Sequence, residues 1–133
     1  MAGTGQVVQI EGRRLRWTSL DRVLYPATGT TKGEVIAYLT RIAPLMLPHL
    51  RGRPVTRKRW AEGVGTADAP GESFFAKQLE SGAPEWIRRM PIEHSGGPKD
   101  YPLAEDLPTL VWFAQMSALE LHVPQWRFTQ DGE

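Results

Sequence analysis

Thr31-Lys32-Gly33-Glu34 constrains this chain more than any other short segment in it. Thr31 can accept a hydrogen bond at a helix N-cap while Glu34 reaches back to the cap amide, a reciprocal pair found where helices begin. Val35, Leu39, Ile42 and Met46 then recur at helical spacing. They predict a helix from Lys32 to about His49 with those four residues on its apolar face. Pro44 removes one backbone donor and should kink it. A second helix start lies at Asp106, a capping residue, with Pro108 in the first turn and Leu110, Phe113, Ala114 and Ser117 on a core-facing stripe.

The remaining signals are those of short strands. Residues 7–11 and 14–18 flank Gly12 as a hairpin, and residues 19–31 are turn-rich, with Pro26 and Gly29 as breakers. Residues 53–60 read as a strand with Val55, Arg57 and Arg59 on one face and Thr56, Lys58 and Trp60 on the other. Residues 61–73, with Gly63, Gly65, Pro70 and Gly71, form a long loop, which implies either function or disorder. Further strands are expected over 73–79, 90–94, 101–103 and 119–124, with one helical turn over 83–87. Mixed strands and two main helices make an α+β fold with a small mixed or antiparallel sheet, and 133 residues suit a single domain, 1–133.

Several chemistries are excluded. The chain has no cysteine, so it has no disulfide, thiolate metal site or Cys nucleophile. Three histidines (His49, His94, His122) show no zinc-ligand spacing, and Gly63-Val64-Gly65 lacks the Lys-Ser/Thr of a phosphate-binding loop. Glu105 and Asp106 are better explained by capping than by acid–base work. No apolar run approaches the roughly 20 residues of a membrane span, and Met1-Ala2-Gly3-Thr4 begins no signal peptide. A cytoplasmic protein is the expectation.

Charge is distributed unevenly. Residues 1–60 carry eleven Lys/Arg and three acids, whereas residues 61–133 carry five Lys/Arg and twelve acids. A basic half suggests a polyanion partner, nucleic acid first. Basic and acidic elements that simply face one another would give the same count. Lys32 opens a helix, where free amides and the helix dipole favour a phosphate; an ordinary solvated lysine on a first turn is the alternative. Phe74-Phe75 leaves a Gly-rich loop, so one ring could stack on a base, or both could pack into a sheet and a helix.

Four segments, taken together and in order, resemble a known family. They are Leu20-Asp21-Arg22-Val23-Leu24-Tyr25-Pro26 with Thr28-Gly29-Thr30-Thr31-Lys32; Gly52-Arg53-Pro54-Val55-Thr56-Arg57-Lys58-Arg59-Trp60; Phe74-Phe75-Ala76-Lys77-Gln78; and Ala118-Leu119-Glu120-Leu121-His122-Val123-Pro124-Gln125-Trp126. They resemble the polymerase domain of bacterial non-homologous end-joining ligase D, within the archaeo-eukaryotic primase superfamily. The likeness spans about residues 18–128 and is closest to the mycobacterial branch. It implies that Arg22, where the family usually has a lysine, and Lys32 clasp the 5′-phosphate of a downstream DNA strand. It implies that Phe74 and Phe75 stack on the template, and that Lys58 and His122 face the incoming nucleotide.

One departure limits what the resemblance implies. The family holds manganese or magnesium through an Asp-x-Asp motif on a strand just after the region of Thr129-Gln130-Asp131-Gly132-Glu133, and through a third aspartate further on. None of these is in the chain, so no cofactor and no catalytic or metal residue is assigned to it, and it is expected to be inactive alone. Three readings stand. One is a DNA-end-binding module for 5′-phosphorylated ends. The second is a part of a template-directed nucleotidyltransferase that needs a separate chain with the carboxylates. The third is a module that recruits Ku or other end-joining proteins.

Overall fold

A computed structural model describes residues 5–129. The opening Met1-Ala2-Gly3-Thr4 and closing residues 130–133, on which two of the readings above fall, lie outside the described residues. The first hairpin pairs β1 (Gln6–Ile10) with β2 (Arg13–Trp17) in antiparallel register from Gln6↔Trp17 to Ile10↔Arg13. Glu11 (φ 50°) and Gly12 (φ 80°) turn the corner, both left-handed, which matches the twist of a two-residue hairpin loop. The turn-rich segment holds a second, tiny hairpin that the sequence reading did not separate. There β3 (Val23–Tyr25) meets β4 (Thr30–Thr31) around a turn in which Thr28 and Gly29 both donate to the Tyr25 carbonyl.

The expected capping box is present: Glu34 N–H donates to Thr31 Oγ1 at 3.2 Å and Thr31 N–H donates to Glu34 Oε1 at 2.9 Å. It opens α1 (Lys32–Leu50), which continues through Pro44 and Pro48. The buried face differs from the one expected. Ile36, Leu39, Ala43 and Leu50 are buried, while Val35, Ile42 and Met46 flank them half-buried. Only Leu39 belongs to both sets, because an i, i+3/i+4 pattern leaves the rotation of a helix open until its neighbour is known. The true stripe begins at Lys32.

After α1 the chain enters β5 (Thr56–Arg59), the middle of a three-stranded antiparallel sheet. Its neighbours are β6 (Phe74–Ala76) and the last strand, β9 (Ala118–His122). Leu119 is an extra residue in β9, since Lys58 opposes Glu120 while Arg59 opposes Ala118. The loop between β5 and β6 is ordered: Val64 N–H donates to Leu24 O at 2.8 Å and Gly71 N–H to Val64 O at 2.8 Å. Gly63 (φ 96°) lies so near the Leu24 and Val23 carbonyls that a Cβ would stand 3.0 Å from each.

Residues 83–87 make a turn closed by Ile87 N–H to Pro84 O, not a helical turn. A hairpin of β7 (Arg89–Ile92) and β8 (Lys99–Pro102) leads to α2 (Leu107–Gln115), capped by Asp106 Oδ1 on Thr109 N–H at 3.0 Å. Leu110, Phe113, Ala114 and Ser117 are buried as expected, yet so are Thr109, Val111 and Trp112. α2 is therefore a core helix rather than one with a single buried stripe. Glu105 ties two elements together, accepting from Gly52 N–H at 3.0 Å and Arg88 Nη1 at 2.8 Å. The fold is α+β, with α1, α2 and β2 enclosing the core.

Candidate nucleic-acid interface

The interface is built on β5, whose alternation puts different chemistry on each face. Arg57 is 1% exposed and serves as an internal brace. Its guanidinium donates to the carbonyls of Val55 (2.9 Å), Lys77 (3.3 Å) and Gln78 (2.9 Å), and to Glu80 Oε1 at 2.8 Å, over the Phe113 ring. Burial pushes its pKa down, and Glu80 pulls the other way. Arg59 donates Nε to Met116 O at 2.6 Å and Nη1 to the second Glu80 oxygen at 3.2 Å. Its guanidinium lies 4.9 Å from the centroid of the Phe74 ring. One carboxylate thus fixes both arginines, and Arg59 covers one face of an exposed aromatic.

The opposite face gathers three of the residues singled out from the sequence. The Lys58 ammonium stands 5.3 Å from the Phe75 centroid and 5.0 Å from that of Trp60. Phe75 meets the His122 ring edge-on at 5.6 Å. Glu120, to which the motif reading gave no role, sits between these two side chains, 3.9 Å from Lys58 Nζ and 3.4 Å from His122 Nε2. Its signal was available, because residues two apart on a strand share a face. Phe74 and Phe75 are 48% and 56% exposed, so neither ring enters the core. β6 is a three-residue edge strand that pairs with β5 alone among the described residues.

Arg22 and Lys32 are also brought together. Lys32 N–H donates to the Arg22 carbonyl at 2.9 Å, and Arg22 Nη1 donates to Ala61 O at 2.7 Å. Lys32 is 3% exposed, with Nζ donating to the Thr18 carbonyl at 2.9 Å. Burial, then the positive charges of Arg22 and Arg59, lower its pKa from 10.5 to about 8. It is not the solvated first-turn lysine of the alternative reading. Among the described residues, neither Arg22 nor Lys32 is within ion-pair distance of a carboxylate.

One expectation about this corner is corrected. The first amides of α1 are not free for a phosphate. Thr31 donates to Glu34, Lys32 to Arg22 O, Gly33 to Leu20 O at 2.9 Å, and Glu34 to Thr31 Oγ1. The capping box and the folded-back residues 20–22 use all four. What remains for an anion is the side-chain charge of Lys32 and Arg22, with Arg59 near enough to depress Lys32.

A two-metal centre does not fit the described residues. No three His, Asp or Glu side chains among them converge on a metal-sized site, and Glu120 is the carboxylate beside Lys58 and His122. His94 is engaged elsewhere, stacked on Tyr101 with Nε2 3.0 Å from its hydroxyl. Among the described residues, no helix is long and apolar enough to cross a membrane.

Comparison with known proteins bears on this geometry. Residues 31–133 match the family described as LigD, primase-polymerase domain. Over 120 residues the chain is 53% identical to the multifunctional non-homologous end joining protein LigD of Mycolicibacterium smegmatis, covering 90% of this chain and 15% of that protein. It is 32% identical over 111 residues to the bifunctional non-homologous end joining protein LigD of Bacillus subtilis, covering 84% of this chain and 17% of that one. Among solved structures it resembles the polymerase domain from Mycobacterium tuberculosis ligase D in complex with DNA. That match has a TM-score of 0.80 and 48% identity, and covers 90% of this chain and 41% of the other. The chain spans about a sixth of the length of the curated relatives it matches.

Proposed function

We propose that this chain, which belongs to the LigD primase-polymerase domain family, binds DNA at breaks or gaps and recognises the 5′-phosphate of the downstream strand during non-homologous end joining. The observation that carries this reading is the Arg22–Lys32 pair, two adjacent cations without a carboxylate partner among the described residues. An unneutralised, partly desolvated pair gains most from a dianionic terminal phosphate, because weak solvent screening strengthens the contact. Exposed Phe74 and Phe75 at the sheet edge provide faces for unpaired bases. A relative solved with DNA supports the partner class.

Lys58 and His122 are read as nucleotide-facing. Glu120 stands between them in the free chain, 3.9 Å from Lys58 Nζ and 3.4 Å from His122 Nε2, so a triphosphate would have to displace that carboxylate. Recruitment of Ku has no single observation in its favour. The deciding experiment compares affinity for gapped duplexes that differ only in a 5′-phosphate or a 5′-hydroxyl on the downstream strand. The phosphorylated duplex is expected to bind tighter by about tenfold, the order of one charge-assisted contact. Equal affinity would overturn phosphate recognition.

A further inference from the structure

The β1–β2 hairpin carries a basic face that the phosphate corner does not use. Strand alternation sends Leu15 and Trp17 of β2, with Val8 and Ile10 of β1, toward the core. The outward face holds Arg14 and Arg16, paired across the hairpin with Gln9 and Val7, and all four are exposed. Neither arginine lies within ion-pair distance of a carboxylate among the described residues. The one acid between residues 5 and 18 is Glu11, at the turn. Arg13 belongs to the other face, where its guanidinium lies 5.8 Å from the centroid of the Trp86 ring. The row of Arg16 and Arg14 starts beside the Arg22–Lys32 corner. Thr18, two residues after Arg16, gives its carbonyl to Lys32 Nζ at 2.9 Å. Gln115 clasps the same residue, accepting from Thr18 N–H at 3.0 Å and donating to Thr18 Oγ1 at 2.6 Å. β2 is therefore anchored at its Lys32 end, and Arg16 and Arg14 follow at steps of about 6.6 Å along the strand.

We propose that the Arg14–Arg16 face of this hairpin holds the phosphate backbone of the DNA duplex downstream of the break or gap. The inference rests on the 5′-phosphate reading above and extends it along the duplex. Charge complementarity selects the partner, because guanidinium forks without a carboxylate match phosphate oxygens two at a time. A row of cations along a strand suits a linear polyanion better than a compact anion. Continuity selects the side: a duplex whose 5′-phosphate sits at Arg22 and Lys32 begins where the row begins. The match to the family covers residues 31–133, so the hairpin lies ahead of it. Backbone contacts of this kind fix position on the DNA and read no sequence.

The test titrates the 133-residue chain and its Arg14→Gln/Arg16→Gln double variant with gapped duplexes. Their downstream arm is either long or cut to a few base pairs, and each carries a 5′-phosphate or a 5′-hydroxyl. On the long arm the double variant is expected to bind about tenfold more weakly, with the slope of log affinity against log salt lower by about 2. On the short arm it should bind as the unmodified chain does, with the same preference for phosphate over hydroxyl ends. Arg14→Lys/Arg16→Lys should recover the slope, since lysine keeps the charge. Thermal melting shows whether each variant is folded, and the single substitutions, each lowering the slope by about 1, replace a double variant that is not. An unchanged slope on the long arm, or an equal loss on both arms, overturns the hairpin contact. Equal affinity of the unmodified chain for the two kinds of end, with the slope still falling in the double variant, overturns the phosphate reading alone and leaves the backbone contact standing. No binding to the long-armed duplex overturns both.

Discussion

The Lys32 ammonium reaches back across fourteen residues to hydrogen-bond the main-chain carbonyl of Thr18 at 2.9 Å. This one contact puts a charged group at the head of the buried stripe of α1 and holds it beside Arg22 and Arg59. Its consequences are electrostatic.

Lys32 titrates near pH 8 in the folded chain and near its ordinary 10.5 when unfolded. The unfolded state therefore binds more protons between those values, and stability rises with pH across that window and is lost as pH falls through about 8. The proposed phosphate binding is expected to run the other way, because the neutral amine carries no charge. Denaturant melts and DNA titrations from pH 7 to 10 should show the two trends diverging in the unmodified chain. Lys32→Met should abolish its share of both.

Both side chains are tied to a carbonyl, Lys32 to Thr18 and Arg22 to Ala61. Lys32→Ala is expected to erase the preference for 5′-phosphate ends more completely than Arg22→Ala, since Arg22 stands in a lysine's place and its guanidinium differs in geometry from an ammonium. Losing one phosphate contact should lower the slope of log affinity against log salt by about 1. Titration at several salt concentrations gives both numbers. Unequal loss in favour of Arg22 would reverse the assignment.

Phe75→Ala should weaken binding to gapped DNA by about 1–3 kcal/mol, the range for loss of one base–aromatic stack. Because the ring is more than half exposed, the melting temperature should barely move. Isothermal titration and a thermal melt on the same sample check the pair of outcomes. A large loss of stability with unchanged binding would make the ring structural.

Arg57→Met removes a guanidinium that serves three carbonyls and Glu80. Leaving those acceptors without their donor is expected to cost about 3–5 kcal/mol, as for other broken buried pairs. Chemical denaturation measures it. Arg59 would also lose its shared anchor, so Phe74 should become more mobile in the variant.

The 133-residue chain by itself is expected to add no nucleotide to a gapped primer with manganese or magnesium. In-line nucleotidyl transfer needs carboxylates to hold two metals, and among the described residues no three His, Asp or Glu side chains converge on a metal-sized site. Primer extension by protein cleared of trace polymerases checks this.

Much of the local structure was legible in the residue order. The Thr31–Glu34 box, the Asp106 cap, the Gly12 hairpin and the two faces of β5 all form as read. Each depends on groups within a few residues of one another, so backbone preferences and short-range hydrogen bonds settle it. The candidate cations and aromatics could be picked out, but their surroundings could not. Leu20 and Arg22 carbonyls fold back to take the α1 amides, α1 turns its Lys32–Leu50 stripe inward, and Glu120 arrives between Lys58 and His122 only when β9 pairs with β5. Tertiary structure decided these because helix rotation and strand order come from packing between distant segments, which no local pattern encodes.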